Sequence, residues 1–175
     1  GASAALLLLS AALVEPSDEV IAGDPSYPCN RHFLTSFGAN VTLVPTTAAD
    51  RFQLTAESVR NHWTNRTRGL AMASPSNPTG TSIDPGELSA ICEFARNQEA
   101  WRLVDEIYLN LSDHTRDGEP PQTVLASDPE AIVINSFSKY FGMTGWRLGW
   151  CVVPVDMVPV VERLAHNYYI CPSTP

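Results

Sequence analysis

The sequence predicts an α/β protein built on a mostly parallel sheet with helices on both faces, and three observations predict it. Short apolar runs alternate with amphipathic stretches at the spacing that strand–helix–strand units produce. The chemically distinctive residues fall just after the apolar runs, where the carboxyl ends of parallel strands gather ligands. The 175 residues, 44% hydrophobic and 17% charged, suit one domain with its own core and exclude a disordered chain.

The elements follow in order. Ala4 to Val14 is apolar enough to suggest a signal peptide or a membrane span. It is too short to cross a bilayer, no basic segment precedes it and no clean cleavage site follows, so it reads as a helix buried in the fold. Apolar strands are expected near residues 19–23, 41–45 and 69–74. The clearest helix then starts with Asp84 at the N-cap, Pro85 in the first helical position and Glu87 as the reciprocal capping contact. Leu88, Ile91, Cys92 and Ala95 give it one buried stripe. A strand near 102–105 leads to a polar, Gly- and Pro-rich loop from Ser112 to Gln122. Strands near 131–136 and 149–153 precede a last helix, from about Pro159 to Tyr169.

Charge and composition remove several function classes. A formal charge of −8 argues against nucleic acid, which needs a basic footprint, but leaves small anions open because a few local donors outweigh a distant average field. Of the eleven bases, ten are arginines, which leaves Lys139 as the single lysine and the only side chain able to form an imine. The four cysteines, Cys29, Cys92, Cys151 and Cys171, form no C-x-x-C pair, and the four histidines are equally scattered, so no metal site is expected. Sequons at Asn40, Asn65 and Asn110 read as chance matches. Neither a P-loop nor a G-x-G-x-x-G dinucleotide motif occurs.

Four clusters sit at strand ends: Ser74-Pro75-Ser76-Asn77-Pro78-Thr79-Gly80, Asp105-Glu106-Ile107-Tyr108, Ser136-Phe137-Ser138-Lys139 and Thr144-Gly145-Trp146-Arg147-Leu148-Gly149. Each alone has a bland reading as a turn or a strand terminus. In this order, with the only lysine in the third, they resemble the large domain of the class I/II aminotransferases, fold-type I enzymes dependent on pyridoxal 5′-phosphate (PLP). The resemblance covers essentially the whole chain.

That resemblance implies a three-layer sandwich with six strands, the last antiparallel, and a role for each site residue. Lys139 forms the internal aldimine and then moves the proton, which requires a desolvated setting for its amine. Asp105 pairs with the pyridinium nitrogen, while Tyr108 and Asn77 hydrogen-bond the phenolic oxygen. Gly1, Ala2 and Ser3 open a helix whose N–H groups meet the phosphate, with Ser136 and Arg147 completing the cradle. Tyr27 stacks on the ring. Trp146, Trp150 and Phe141 are expected to pack rather than bind, and no direct contact is assigned to Ser138 or Tyr140. The implied reaction moves an amino group between an L-amino acid and a 2-oxo acid, in a cytoplasmic protein that neither enters a membrane nor binds nucleic acid and that is a homodimer at full length. Residues 1–175 are expected to be a fragment of that large domain, with an edge strand before Gly1 and a small domain after Pro175 missing. A C–S lyase, a synthase, an effector-sensing domain of a transcription regulator and an inactive cofactor-binding piece stay open as alternatives.

Overall fold

Alternation within each strand decides the layering. A computed structural model of the chain describes residues 1–112 and 122–172. Most of the loop expected from Ser112 to Gln122 therefore lies outside the described residues. The strands are β1 (Glu19–Asp24), β2 (Asn40–Pro45), β3 (Thr67–Ala73), β4 (Trp101–Asp105), β5 (Ile132–Ser136) and β6 (Gly149–Val152). They form one six-stranded sheet in the order β2-β1-β3-β4-β5-β6. Pairing is parallel from β2 through β5, and β6 is antiparallel to β5, as expected.

Ile21, Leu70, Met72, Val104 and Val133 point to one face, where they meet α3 (Ala56–His62) and α4 (Pro85–Asn97). Their strand neighbours Val20, Ala22, Ala71, Leu103, Ile132 and Ile134 point to the other. There α1 (Ala2–Leu13), α2 (Pro28–Ser36) and α5 (Val158–Tyr168) cover them through Leu6, Leu9, Leu34 and Val161. The period-two pattern thus feeds two cores, and the sheet is buried on both sides.

The apolar start is α1, packed in the second of these cores as the sequence predicts. Its one buried hydroxyl, on Ser10, donates to Leu6 O at 2.8 Å, so no polar group is stranded. Among the described residues no helix is long and apolar enough to cross a membrane.

The helix at Asp84 forms as expected, with Asp84 Oδ1 accepting from Gly86 N at 2.9 Å. The reciprocal contact expected of Glu87 is corrected by the structure. Its Oε2 accepts instead from Ala56 N, at 2.7 Å, in the first turn of α3. That N–H has no acceptor within its own helix, and a carboxylate at a helix N-terminus is favoured by the dipole, so Glu87 docks α3 onto α4.

Two glycines let elements close on each other. A Cβ on Gly69 would lie 2.1 Å from the Trp101 ring, which covers β3 from the neighbouring strand. A Cβ on Gly149 would come within 2.7 Å of Asn135 O and 3.0 Å of Ala2 N. Its absence allows the start of β6 to back onto the N-terminus of α1.

Candidate functional site

The carboxyl ends of β1, β3, β4 and β5 open on one side of the sheet, and the N-terminus of α1 and the turn before β6 close around them. Between them lies a cleft of about 200 Å³, the scale of a small metabolite. Nine of the ten residues expected from the sequence line it. Ala2 and Ser3 come from α1, Tyr27 follows β1, Asn77 follows β3, Asp105 and Tyr108 close β4, and Ser136, Lys139 and Arg147 come from β5 and the turn beyond. The tenth, Gly1, is not among the lining residues and donates through its nitrogen to Arg147 O.

Each side chain is held from its own strand end. Asp105 Oδ1 accepts from Ile107 N at 3.0 Å, and Asp105 O accepts from Ser74 N at 3.0 Å, which fixes the β4 terminus beside the Asn77 loop. Ser136 Oγ accepts from Ser138 N at 3.0 Å and donates to Leu148 O at 3.2 Å, turning the chain sharply after β5. The turn that carries Lys139 is braced by Phe137, whose ring lies 4.9 Å from Trp150 and 5.2 Å from Phe141. Those rings pack, as the sequence suggests. Arg147 adopts φ 52° and donates through Nη1 to Thr144 O at 3.0 Å and to Ser138 Oγ at 3.4 Å.

Asp105 is almost fully buried, and that burial pushes its carboxyl up to about 6, the Ile107 N–H opposing the shift and Glu106 reinforcing it. A carboxylate in that position gains from a cationic partner. The Tyr27 phenol is pushed up by the adjacent Cys29 thiol first, then by burial and by Tyr108 and Asp105. Lys139 Nζ lies 5.6 Å from the centroid of the Tyr108 ring, a cation–π distance.

The Lys139 side chain is exposed, as are Tyr140 and Phe141 in the turn beyond it, 54% and 50% exposed. The sequence reading assigned nothing to Ser138, which is buried, lines the cleft and meets the Arg147 guanidinium. Leu6 and Ile107 line the cleft too. Leu6 was within reach of helical periodicity, since it lies one turn beyond Ala2 and Ser3.

The donor set fits PLP. The buried Asp105 would gain from a protonated ring nitrogen, and the Lys139 amine lies beside the Tyr108 phenol. The first N–H groups of α1, which lack intrahelical acceptors, and the Arg147 guanidinium are the donors that would suit a phosphate.

Comparison with known proteins identifies the family. The family model "Aminotransferase class I and II" matches residues 1–175. Valine–pyruvate aminotransferase of Mycobacterium tuberculosis is 40% identical over 174 residues, which are 98% of this chain and 44% of that protein. A crystal structure of an aminotransferase from Mycobacterium tuberculosis superposes with a TM-score of 0.90 at 37% identity, covering 98% of this chain and 44% of the other. A tetra-mutant aspartate aminotransferase of Thermus thermophilus gives a TM-score of 0.92 at 30% identity, covering 99% and 47%. The chain therefore spans under half the length of these relatives. It belongs to the class I and II aminotransferase family.

Proposed function

We propose that residues 1–175 are part of the cofactor-binding large domain of a PLP-dependent aminotransferase that moves an amino group between an L-amino acid and a 2-oxo acid. The observation that carries this is the convergence of the only lysine, a buried acid and an arginine on one cleft of about 200 Å³. Relatives named for valine–pyruvate and for aspartate support the substrate class. At full length we read the protein as a homodimer. Exposed Tyr140, Phe141 and Trp146 beside the cleft support a covering surface there.

When bound, PLP supplies an aldehyde that condenses with amines and a protonated ring that withdraws electrons from the carbon being deprotonated. Lys139 Nζ would hold the cofactor through its amine and would serve as the base that moves a proton at the substrate Cα. Asp105 would keep the ring nitrogen protonated. Tyr108 and Asn77 would donate to the phenolic oxygen, and Tyr27 would pack against the ring. Ala2 N, the N–H and hydroxyl of Ser3, Ser136 and the Arg147 fork hold the phosphate, with Gly1 leading into that helix.

The test uses the full-length protein with added PLP. An absorbance band near 360–430 nm, roughly where PLP–amine adducts absorb, should appear. Borohydride reduction should then leave the pyridoxyl mass on the Lys139 peptide alone. Turnover should require a 2-oxo acid acceptor and should vanish in Lys139→Ala. The absence of a band, or a label on another amine, would overturn the assignment; product formed without an acceptor would point to a lyase.

A further inference from the structure

We propose that Gln53, a residue outside the cleft, is a positioning residue that fixes the loop carrying Asn77. This rests on the PLP reading above for its consequence, but not for its geometry. Gln53 lies between β2 and α3 and is 8% exposed. Its Nε2 donates to Thr81 O at 2.5 Å and to Ala73 O at 3.3 Å, with Thr81 Oγ1 at 3.4 Å. Ala73 ends β3 and Thr81 ends the Asn77 loop, so one amide ties both feet of the segment between them. Both main partners are carbonyl oxygens, so only the amide's N–H₂ end satisfies them.

The loop also has bonds of its own: the Thr79 and Thr81 hydroxyls lie 2.9 Å apart, and Ile83 N donates to Ser74 Oγ at 3.0 Å. Ser76 N donates to Thr81 O at 2.9 Å and Gly80 N to Ser76 O at 2.8 Å. Thr81 O therefore serves the loop's inner turn and Gln53 together. No bond to the Asn77 side chain holds it among the described residues; the position of that wall follows the loop's two feet.

A second observation concerns how Gln53 reaches this place. The two residues before it, Arg51 and Phe52, both have φ of 55°, in the left-handed region that residues with a Cβ adopt at a cost. The turn is closed by Phe52 N donating to Thr47 O at 2.7 Å and by the Thr47 hydroxyl donating to Asp50 Oδ2 at 3.0 Å. Two consecutive strained residues that deliver a buried amide onto two carbonyls mark a specified contact rather than a slack connection.

The experiment has two readouts in the full-length protein. Gln53→Met keeps the volume and removes the donors; Gln53→Glu keeps the shape and serves if the first variant does not fold. Amide exchange at Ser76 and Gly80 should rise roughly tenfold, as loss of a buried donor predicts, with α4 amides unchanged. Unchanged exchange at those two amides overturns the proposal, whether or not PLP binds. The second readout is the pH midpoint of the PLP absorbance band. Gln53→Met should shift it in the direction that Asn77→Ala does, and should add nothing on the Asn77→Ala background. Val59→Ala, a core deletion in α3, should lower stability and leave the midpoint in place. Additive shifts, or a midpoint that Val59→Ala moves equally, would reduce Gln53 to a stabilising residue and sink the positioning role. A wild-type protein with no band fails the PLP reading alone, since the exchange readout still decides the clamp.

Discussion

Asp105 shows what the fold spends at a single residue to keep a site ready. Burial raises its carboxyl from an ordinary 3.8 to about 6, so the folded chain takes up a proton that the unfolded chain has already released. The sign follows directly. Relative stability is greatest below the unfolded value, falls as pH rises through about 6, and is lowest once Asp105 is ionised. A shift of this size corresponds to about 3 kcal/mol at neutral pH, a cost that a protonated ring nitrogen would offset. Asp105→Asn keeps an oxygen for Ile107 N and carries no charge. Without cofactor the variant should be more stable than wild type at pH 7–8, with the difference closing toward pH 4. Urea unfolding across that range checks it, and equal stability at pH 8 would contradict the burial argument. Glu106 is itself raised by burial and reinforces the Asp105 shift, so the difference reads Asp105 together with that coupling. The acid was legible in the sequence because it ends an apolar run, and Lys139 was legible by its solitude. Gln53 was not, because its partners are backbone carbonyls that no side-chain pattern announces.

At the scale of elements, backbone approach is what turns strand ends and a helix start into one site. Gly149 is the clearest case. The atoms its Cβ would meet, Asn135 O at 2.7 Å, Ala2 N at 3.0 Å and Gly1 C at 3.1 Å, are all backbone and cannot swing aside. Gly149→Ala should therefore push β6 and the start of α1 apart, with an overpacking cost of about 1–3 kcal/mol. Because the displaced atoms belong to the proposed phosphate cradle, the variant should lose affinity for PLP more than for pyridoxal, which lacks the phosphate. Competitive titration of the two ligands measures this, and an equal loss for both would place the strain elsewhere. The G-W-R-L-G string was legible as a motif, but the reason for its last glycine appears only when α1 is seen against β6. The same limit explains Glu87. Its spacing from Asp84 is that of a capping contact, and only the packing of α3 shows that a different helix start claims the carboxylate.

For the whole molecule, the class of fold was legible from alternation alone, the six strands and the antiparallel β6 came from the family resemblance, and the strand order appeared only in the structure. Local periodicity does not encode which strand neighbours which. That order matters because it draws the cleft walls from the ends of four strands, a helix start and the turn before β6, segments spread from Ala2 to Arg147. A ligand touching all of them acts as a tie across the molecule. The molecule carries a formal charge of −8, yet a phosphate is served by donors a few ångströms away, while the remaining charge is screened over about 10 Å at 0.1 M salt. Binding to the folded state alone adds stability by mass action, about 2.7 kcal/mol at a hundredfold excess over Kd. For a chain of 175 residues that corresponds to a rise in Tm of roughly 5–10 °C with saturating PLP. Pyridoxal should give part of this rise, since it leaves the Ala2, Ser3 and Arg147 end empty. Inorganic phosphate should give another part, and Lys139→Ala should retain more of the PLP effect than Arg147→Ala if the tie is mainly through contacts rather than through the covalent bond. Thermal scans with the three ligands decide between these contributions. A Tm that PLP leaves unchanged would mean that the six segments do not close on it together.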